Sequence, residues 1–168
     1  MNAITVKLPW AAAIRADVFP DRAKTVENRG QRVADRHIGQ RLAIHAGAAW
    51  DKNGAADERV RQWWWGRDDG YLPPLVATDF NPLRSKVIAV ATLVDCHLSD
   101  WPRVPMKACC APWGDTWYHS RKQAWHLVLA DVVALPEPVP TRGYLSVPWT
   151  LPEDVAAQVA AQLEAVAP

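Results

Sequence analysis

Phenylalanine and methionine occur only twice each in the 168 residues, cysteine three times, and no apolar run approaches the length of a membrane-spanning helix. Met1 to Trp10 has no apolar stretch behind a basic start, so no secretory signal is expected. The odd cysteine count, Cys96 and the adjacent Cys109 and Cys110, fits no disulfide framework and predicts a reducing compartment. Together these absences predict a cytoplasmic protein with no membrane partner. Metal binding is not expected either. Cys109 and Cys110 lack a Cys-x-x-Cys partner, and His119 and His126 form no recognised ligand spacing with them. Nothing in the sequence calls for a cofactor. A formal net charge of +1 removes any global field that would draw a nucleic acid or a lipid surface. No internal repeat or low-complexity tract occurs, and the length suits one domain spanning 1–168.

What the chain does have is tryptophan, ten against two phenylalanines. An indole N–H wants a partner when buried, so tryptophan is costly as plain core filler, and some of these rings are expected to line a surface or pocket. Charge is also uneven. Residues 1–50 carry eight Lys or Arg against four acids, a local excess that fits either a solvated face or a pocket for an anionic or base-bearing ligand.

In chain order, Ile4 to Leu8 alternates apolar and polar residues and predicts a strand. Pro9 suits the first turn of a helix over Trp10 to Val18. A short strand at Lys24 to Arg29 follows, with charge unusual for packing. By alternation Glu27 and Arg29 share a face, while Lys24 points the other way unless it precedes the strand. Arg41 to Ala46 predicts a strand and Ala48 to Gly66 a helix, with Trp50 in its first turn and Trp63, Trp64 and Trp65 near its end, at least one of them exposed. Asp68 to Arg84 reads as irregular loop, Ser85 to Cys96 as a buried central strand, and His97 to His119 as a proline-broken excursion able to act as a lid. Gln123 to Val133 predicts a strand, Leu135 to Pro140 stiff extended chain, Arg142 to Val147 a last strand, and 152–166 a C-terminal helix. About five to six strands mixed irregularly with helices argue for a small α+β sheet or barrel.

Leu8-Pro9-Trp10, Lys24-Thr25-Val26-Glu27-Asn28-Arg29, Ile44-His45-Ala46, Gln123-Ala124-Trp125 and the run from Pro136 to Gly143 resemble, in this order, the ASCH-domain family of the PUA-like superfamily. The resemblance spans roughly residues 3–149. It implies a small mixed β-barrel with flanking helices, α+β in class, of a kind found in readers and modifiers of RNA bases. The family signature Gly-x-Lys-x-x-Glu-x-Arg falls on Arg22, Lys24, Glu27 and Arg29, with Arg22 replacing the glycine. The resemblance implies that these residues line a cleft for a base, nucleotide or single strand of RNA.

Lys24 and Arg29 can donate to phosphate or base acceptors, Glu27 can accept from an exocyclic amine or ring N–H, and Asn28 can read an amide-like edge. Pro9 and Trp10 flank this stretch, with Trp10 as the first candidate for base stacking and Trp50, Trp117 and Trp125 as further ones; His45 completes the expected ligand contacts. The leading expectation is therefore binding of single-stranded RNA or a modified nucleoside. The alternatives are a small hydrolase, of the acylcytidine amidohydrolase or ribonuclease type, and a protein-interaction domain using exposed tryptophans. In the amidohydrolase relatives a threonine stands where this chain has Glu27, and Thr25 lies about 7 Å along the strand from that position. A hydrolase here would rely on Lys24 and Glu27 acting on water. The base, the choice of RNA or DNA and the oligomeric state stay open.

Overall fold

The protein is described by a computed structural model over residues 1–99, 110–119 and 122–166. β1 (Asn2–Leu8) lies parallel to β3 (Arg41–Trp50), which is antiparallel to β4 (Lys86–Leu98), itself antiparallel to the long β7 (Trp125–Pro140). β2 (Val26–Arg29) forms one edge on β7 and the two-residue β8 (Trp149–Thr150) the other edge on β1. The six strands make one curled half-barrel in the order β2-β7-β4-β3-β1-β8, and a separate two-stranded hairpin joins β5 (Trp117–Tyr118) to β6 (Lys122–Gln123).

Both faces of the sheet centre are covered, which is why β3 and β4 read as nearly continuous apolar runs. Alternation sends Ile4, Leu42, Ile44 and Ile88 into one core, with α1 (Trp10–Ile14) and α3 (Glu58–Trp65) over it. Ala3, Ala43, Val87 and Val90 face the other, under α4 (Glu153–Val166). α4 contributes Val155 and Val159, four residues apart and both buried, each worth about 1.5–3 kcal/mol of apolar burial. Gln162 holds α4 to β7 by accepting from the Glu137 N–H and donating to the Glu137 carbonyl, both at 2.9 Å.

Several elements differ from the sequence expectation. The first helix stops at Ile14 because Arg15 turns to extended backbone, ψ 125. The expected helix from Ala48 to Gly66 is divided: β3 continues through Trp50, and two helices follow, α2 (Lys52–Ala56) and α3. Two aspartates cause the division. Asp51 accepts from the Asn53 and Gly54 N–H groups and Asp57 from the Arg59 N–H, so each caps a new helix start. Gly66, at φ 64, ends α3 in the left-handed conformation that glycine adopts at least cost. Within the expected loop from Asp68 to Arg84, Ala77–Leu83 forms a 3-10 helix. Leu135 to Pro140 is not a separate stiff segment but the end of β7, whose irregular register against β4 leaves Pro136 and Pro138 unpaired. No strand forms at Arg142 to Val147; that stretch is a loop, and the last pairing comes later, at β8. Of the excursion expected to act as a lid, residues 100–109 lie outside the described residues.

Candidate functional site

Lys24 does precede β2. Its backbone N–H donates 2.7 Å to the Ala13 carbonyl at the end of α1, and this placement frees its side chain from strand alternation. Nζ donates to Glu27 Oε2 at 2.8 Å and to the Val26 carbonyl. Lys24 and Glu27 are buried, 1% and 8% exposed. Arg29 Nε stands 3.2 Å from Glu27 Oε1, within ion-pair range but not aligned for a hydrogen bond, and Nη2 donates to the Thr5 carbonyl at 2.5 Å. Glu27 is thus a carboxylate between two cations on the sheet edge. Burial pushes the Lys24 ammonium below the usual lysine range, against the pull of Glu27.

These groups form one wall of a cleft of about 770 Å³, a volume suited to a small organic ligand. Trp10, Asn28, His45 and Trp117 also border it. Asn28, on the opposite face of β2, reaches it where the strand meets the turn before β5. Both Asn28 amide hydrogens are engaged there, by the Trp113 carbonyl at 2.9 Å and Asp115 Oδ2 at 3.0 Å, while Oδ1 accepts from the Asp115 N–H. Asn28 therefore clamps the cleft wall, and no amide hydrogen remains for a base edge.

The other expected site residues lie elsewhere. Pro9 is buried at the start of α1 and does not border the cleft. Trp50, on β3 rather than on a helix, packs against Phe80 at 5.3 Å and lines a second, smaller cavity. Trp125 pairs with Arg29 across β2 and β7, with the Arg32 guanidinium 5.7 Å over its ring. Thr25 is exposed and absent from the cleft lining, so it supplies no hydroxyl to it. Of the three consecutive tryptophans, Trp63 is buried and Trp64 half-buried, whereas Trp65 is exposed and donates to the Pro73 carbonyl at 3.0 Å.

Arg59 was not singled out in the sequence, yet it organises the far wall. It grips Asp57 through Nε and Nη2 at 2.9 and 2.7 Å, donates to Asp115 Oδ1 at 3.0 Å, and lies 5.7 Å from the ring centres of both Trp10 and Trp113. The two carboxylates raise its pKa further, fixing the charge. The only sequence signal was Asp57 two residues before it, at a helix start. At the mouth, Lys7 and Arg142 are exposed and form no ion pair among the described residues.

Opposite β2, the loop after β7 lies directly on His45. A Cβ on Gly143 would stand 2.3 Å from His45 Cε1 and 2.8 Å from Thr5 Oγ1, so only glycine permits this approach. His45 Nε2–H donates to the Thr141 carbonyl at 3.1 Å, and Nδ1 has no partner among the described residues. Burial pushes the imidazole below its ordinary 6.5, with the Thr141 bond pulling it partly back. His45 is therefore neutral in the fold while the unfolded chain takes up a proton near 6.5. Its contribution to stability is complete above that pH and falls as pH drops through 6.5 towards the lower folded value. His126 shifts in the same direction, so wild type alone does not isolate His45. His45→Gln, which keeps a donor for Thr141, is expected to flatten part of the acid limb when urea midpoints are measured against pH. Superimposable profiles for the two proteins would rule this account out.

No protein-family model and no curated protein matches the sequence. Among solved structures, a crystal structure of a mutant form of ZmASCH from Zymomonas mobilis matches with a TM-score of 0.50 over 95% of this chain and 96% of that chain, at 14% identity. The fold is that of an ASCH domain. In this ASCH fold, the cleft lies between the β2 edge, the capped start of α3, the β5 hairpin and the loop after β7.

Proposed function

We propose that the cleft binds a nucleobase-bearing ligand, either an unpaired nucleotide of single-stranded RNA or a modified nucleoside. The observation that carries this reading is the Lys24, Glu27 and Arg29 array on a concave wall, in a cleft that aromatic rings also line and that opens beside Lys7 and Arg142. Hydrogen-bonding capacity remains on that wall. Among the described residues Lys24 uses two of its three hydrogens and Arg29 one of its five, while Glu27 Oε2 accepts one bond and Oε1 none. A base placed there can be met by donors and an acceptor at once. Trp10 and Trp117 border the cleft, and a base stacked on an indole gains on the order of 1–3 kcal/mol. Lys7 and Arg142 are placed for a phosphate, which favours nucleotide over nucleoside. The ASCH resemblance supports the same class of ligand.

Fluorescence titration with nucleosides, nucleoside monophosphates and short single-stranded RNA tests this. Saturable quenching of cleft tryptophan, tighter for monophosphates than for nucleosides and weakened by Trp10→Ala, is expected. Absence of binding across the panel, or an affinity indifferent to Trp10→Ala, would reject the reading.

A second reading, hydrolysis of an acylated nucleoside or of single-stranded RNA, is favoured by one observation. Lys24 is buried beside the cleft with its pKa lowered, a combination that recurs in reactive lysines. Glu27 would then serve as base towards water and Lys24 would steady the developing oxyanion. Turnover of acylated nucleosides or labelled RNA that is lost in Glu27→Gln would support it.

A further inference from the structure

Outside the cleft, three donor side chains converge. His97 near the end of β4, His126 near the start of β7 and Cys110 in the turn before β5 bring their ligand atoms within 4.8 Å of one another. The sheet register sets His97 opposite His126, and the two rings meet edge to face at 5.3 Å. His97 Nε2 is 3.1 Å and His126 Nδ1 3.0 Å from Cys110 Sγ. Cys110 and His126 are each 1% exposed.

The far nitrogen of each ring fixes what the near one presents. His97 Nδ1 lies 2.6 Å from Asp95 Oδ2 and His126 Nε2 2.8 Å from the Asp115 carbonyl, both oxygens that accept. Each far nitrogen therefore carries its ring's hydrogen, and each near nitrogen turns a lone pair towards sulfur. With neutral rings, the two near nitrogens and the Cys110 sulfur thus turn lone pairs towards one point, and a single S–H cannot bridge both nitrogens. A cation between the three atoms removes that conflict. Histidines whose second N–H is held by a carboxylate or a carbonyl are the arrangement found around protein-bound metals.

We propose that His97, Cys110 and His126 form a site for a zinc-type transition ion, supplying three ligands among the described residues. Thiolate with two imidazoles matches that class of metal, and binding displaces the thiol proton to solvent. Ligand atoms around tetrahedral zinc stand roughly 3.3–3.6 Å apart, so the present N···S separations need open only by about half an ångström. The residues are 13 and 16 apart in sequence, which is why no motif announced them. Gly114 makes the turn possible, since a Cβ there would stand 2.6 Å from Cys110 Cβ and 3.0 Å from His126 Cε1. The same turn carries Asp115, so the ion would pin one wall of the cleft to the sheet.

Titrating the metal-free full chain with Co²⁺ tests the site. One equivalent should develop visible bands of tetrahedral cobalt and a near-ultraviolet thiolate charge-transfer band, both erased by excess Zn²⁺. Cys110→Ser should abolish the charge-transfer band, and Cys96→Ser should leave it. Asp95 is a positioning residue with a 55% exposed side chain, and Asp95→Asn should retain the band while weakening zinc affinity about 10–100-fold. No stoichiometric binding, or a band that survives Cys110→Ser, overturns the proposal. Should Cys110→Ser fail to fold, unchanged zinc affinity in Asp95→Asn overturns it instead.

Discussion

Replacing Lys24 by methionine is expected to lower the unfolding free energy by about 3 kcal/mol, the lower end of what breaking a buried ion pair costs. The loss comes mainly from what remains. Glu27 is 8% exposed, and without Lys24 its one remaining ion-pair partner among the described residues is Arg29, at 3.2 Å and out of hydrogen-bond alignment. Arg29 is what holds the cost at the lower end. Adding Glu27→Gln should recover part of the stability, because the uncompensated buried charge is gone and the new amide oxygen can still face Arg29. The four proteins of this cycle, unfolded in urea and followed by tryptophan fluorescence, give the coupling directly. Ligand affinity should behave differently and be lost in both Lys24→Met and the double variant. A folded double variant that does not bind separates recognition from stability. A cost below about 1 kcal/mol would mean that the pair is not desolvated, since exposed pairs are worth no more than that.

The parts of this molecule legible in the sequence are those whose cause is local. β1, β3 and β4 announce themselves because burial on one or both faces forces a period or an apolar run on them. Lys24, Glu27 and Arg29 are legible because one six-residue stretch supplies all three. Even the question raised by alternation has a local answer, as Lys24 hangs from the end of α1 rather than from the strand.

What was not legible depends on long-range approach. Arg59 belongs to the cleft only because the turn before β5 delivers Asp115 to it across 56 residues. Trp50 and Trp125 looked like ring platforms by composition, but register fixed the first on Phe80 and the second beneath Arg32. Local capping also divided the single helix expected from Ala48 to Gly66. The stretch is rich in small and charged residues, yet Asp51 and Asp57 each capture backbone N–H groups and restart the helix.

Gly54→Ala is expected to weaken ligand binding about as much as Trp10→Ala, roughly 5- to 150-fold for one lost stacking contact. Gly54 lies inside α2, where helix propensity alone would make alanine stabilising by about 0.8–1 kcal/mol. The neighbouring indole reverses that sign. A Cβ on Gly54 would stand 2.4 Å from Trp10 Nε1 and 2.7 Å from Cε2, so the ring must leave its place beside Lys24 and Arg59. Gly54→Ala alone should therefore lower stability as well as affinity. In a Trp10→Ala background the obstruction is absent and propensity is all that remains, so adding Gly54→Ala should raise stability and leave affinity where Trp10→Ala put it. Thermal midpoints and titrations of the four proteins read both signs. If Gly54→Ala stabilises the wild type and preserves its affinity, the indole does not rest on α2 in solution and Trp10 cannot be the stacking wall of the cleft.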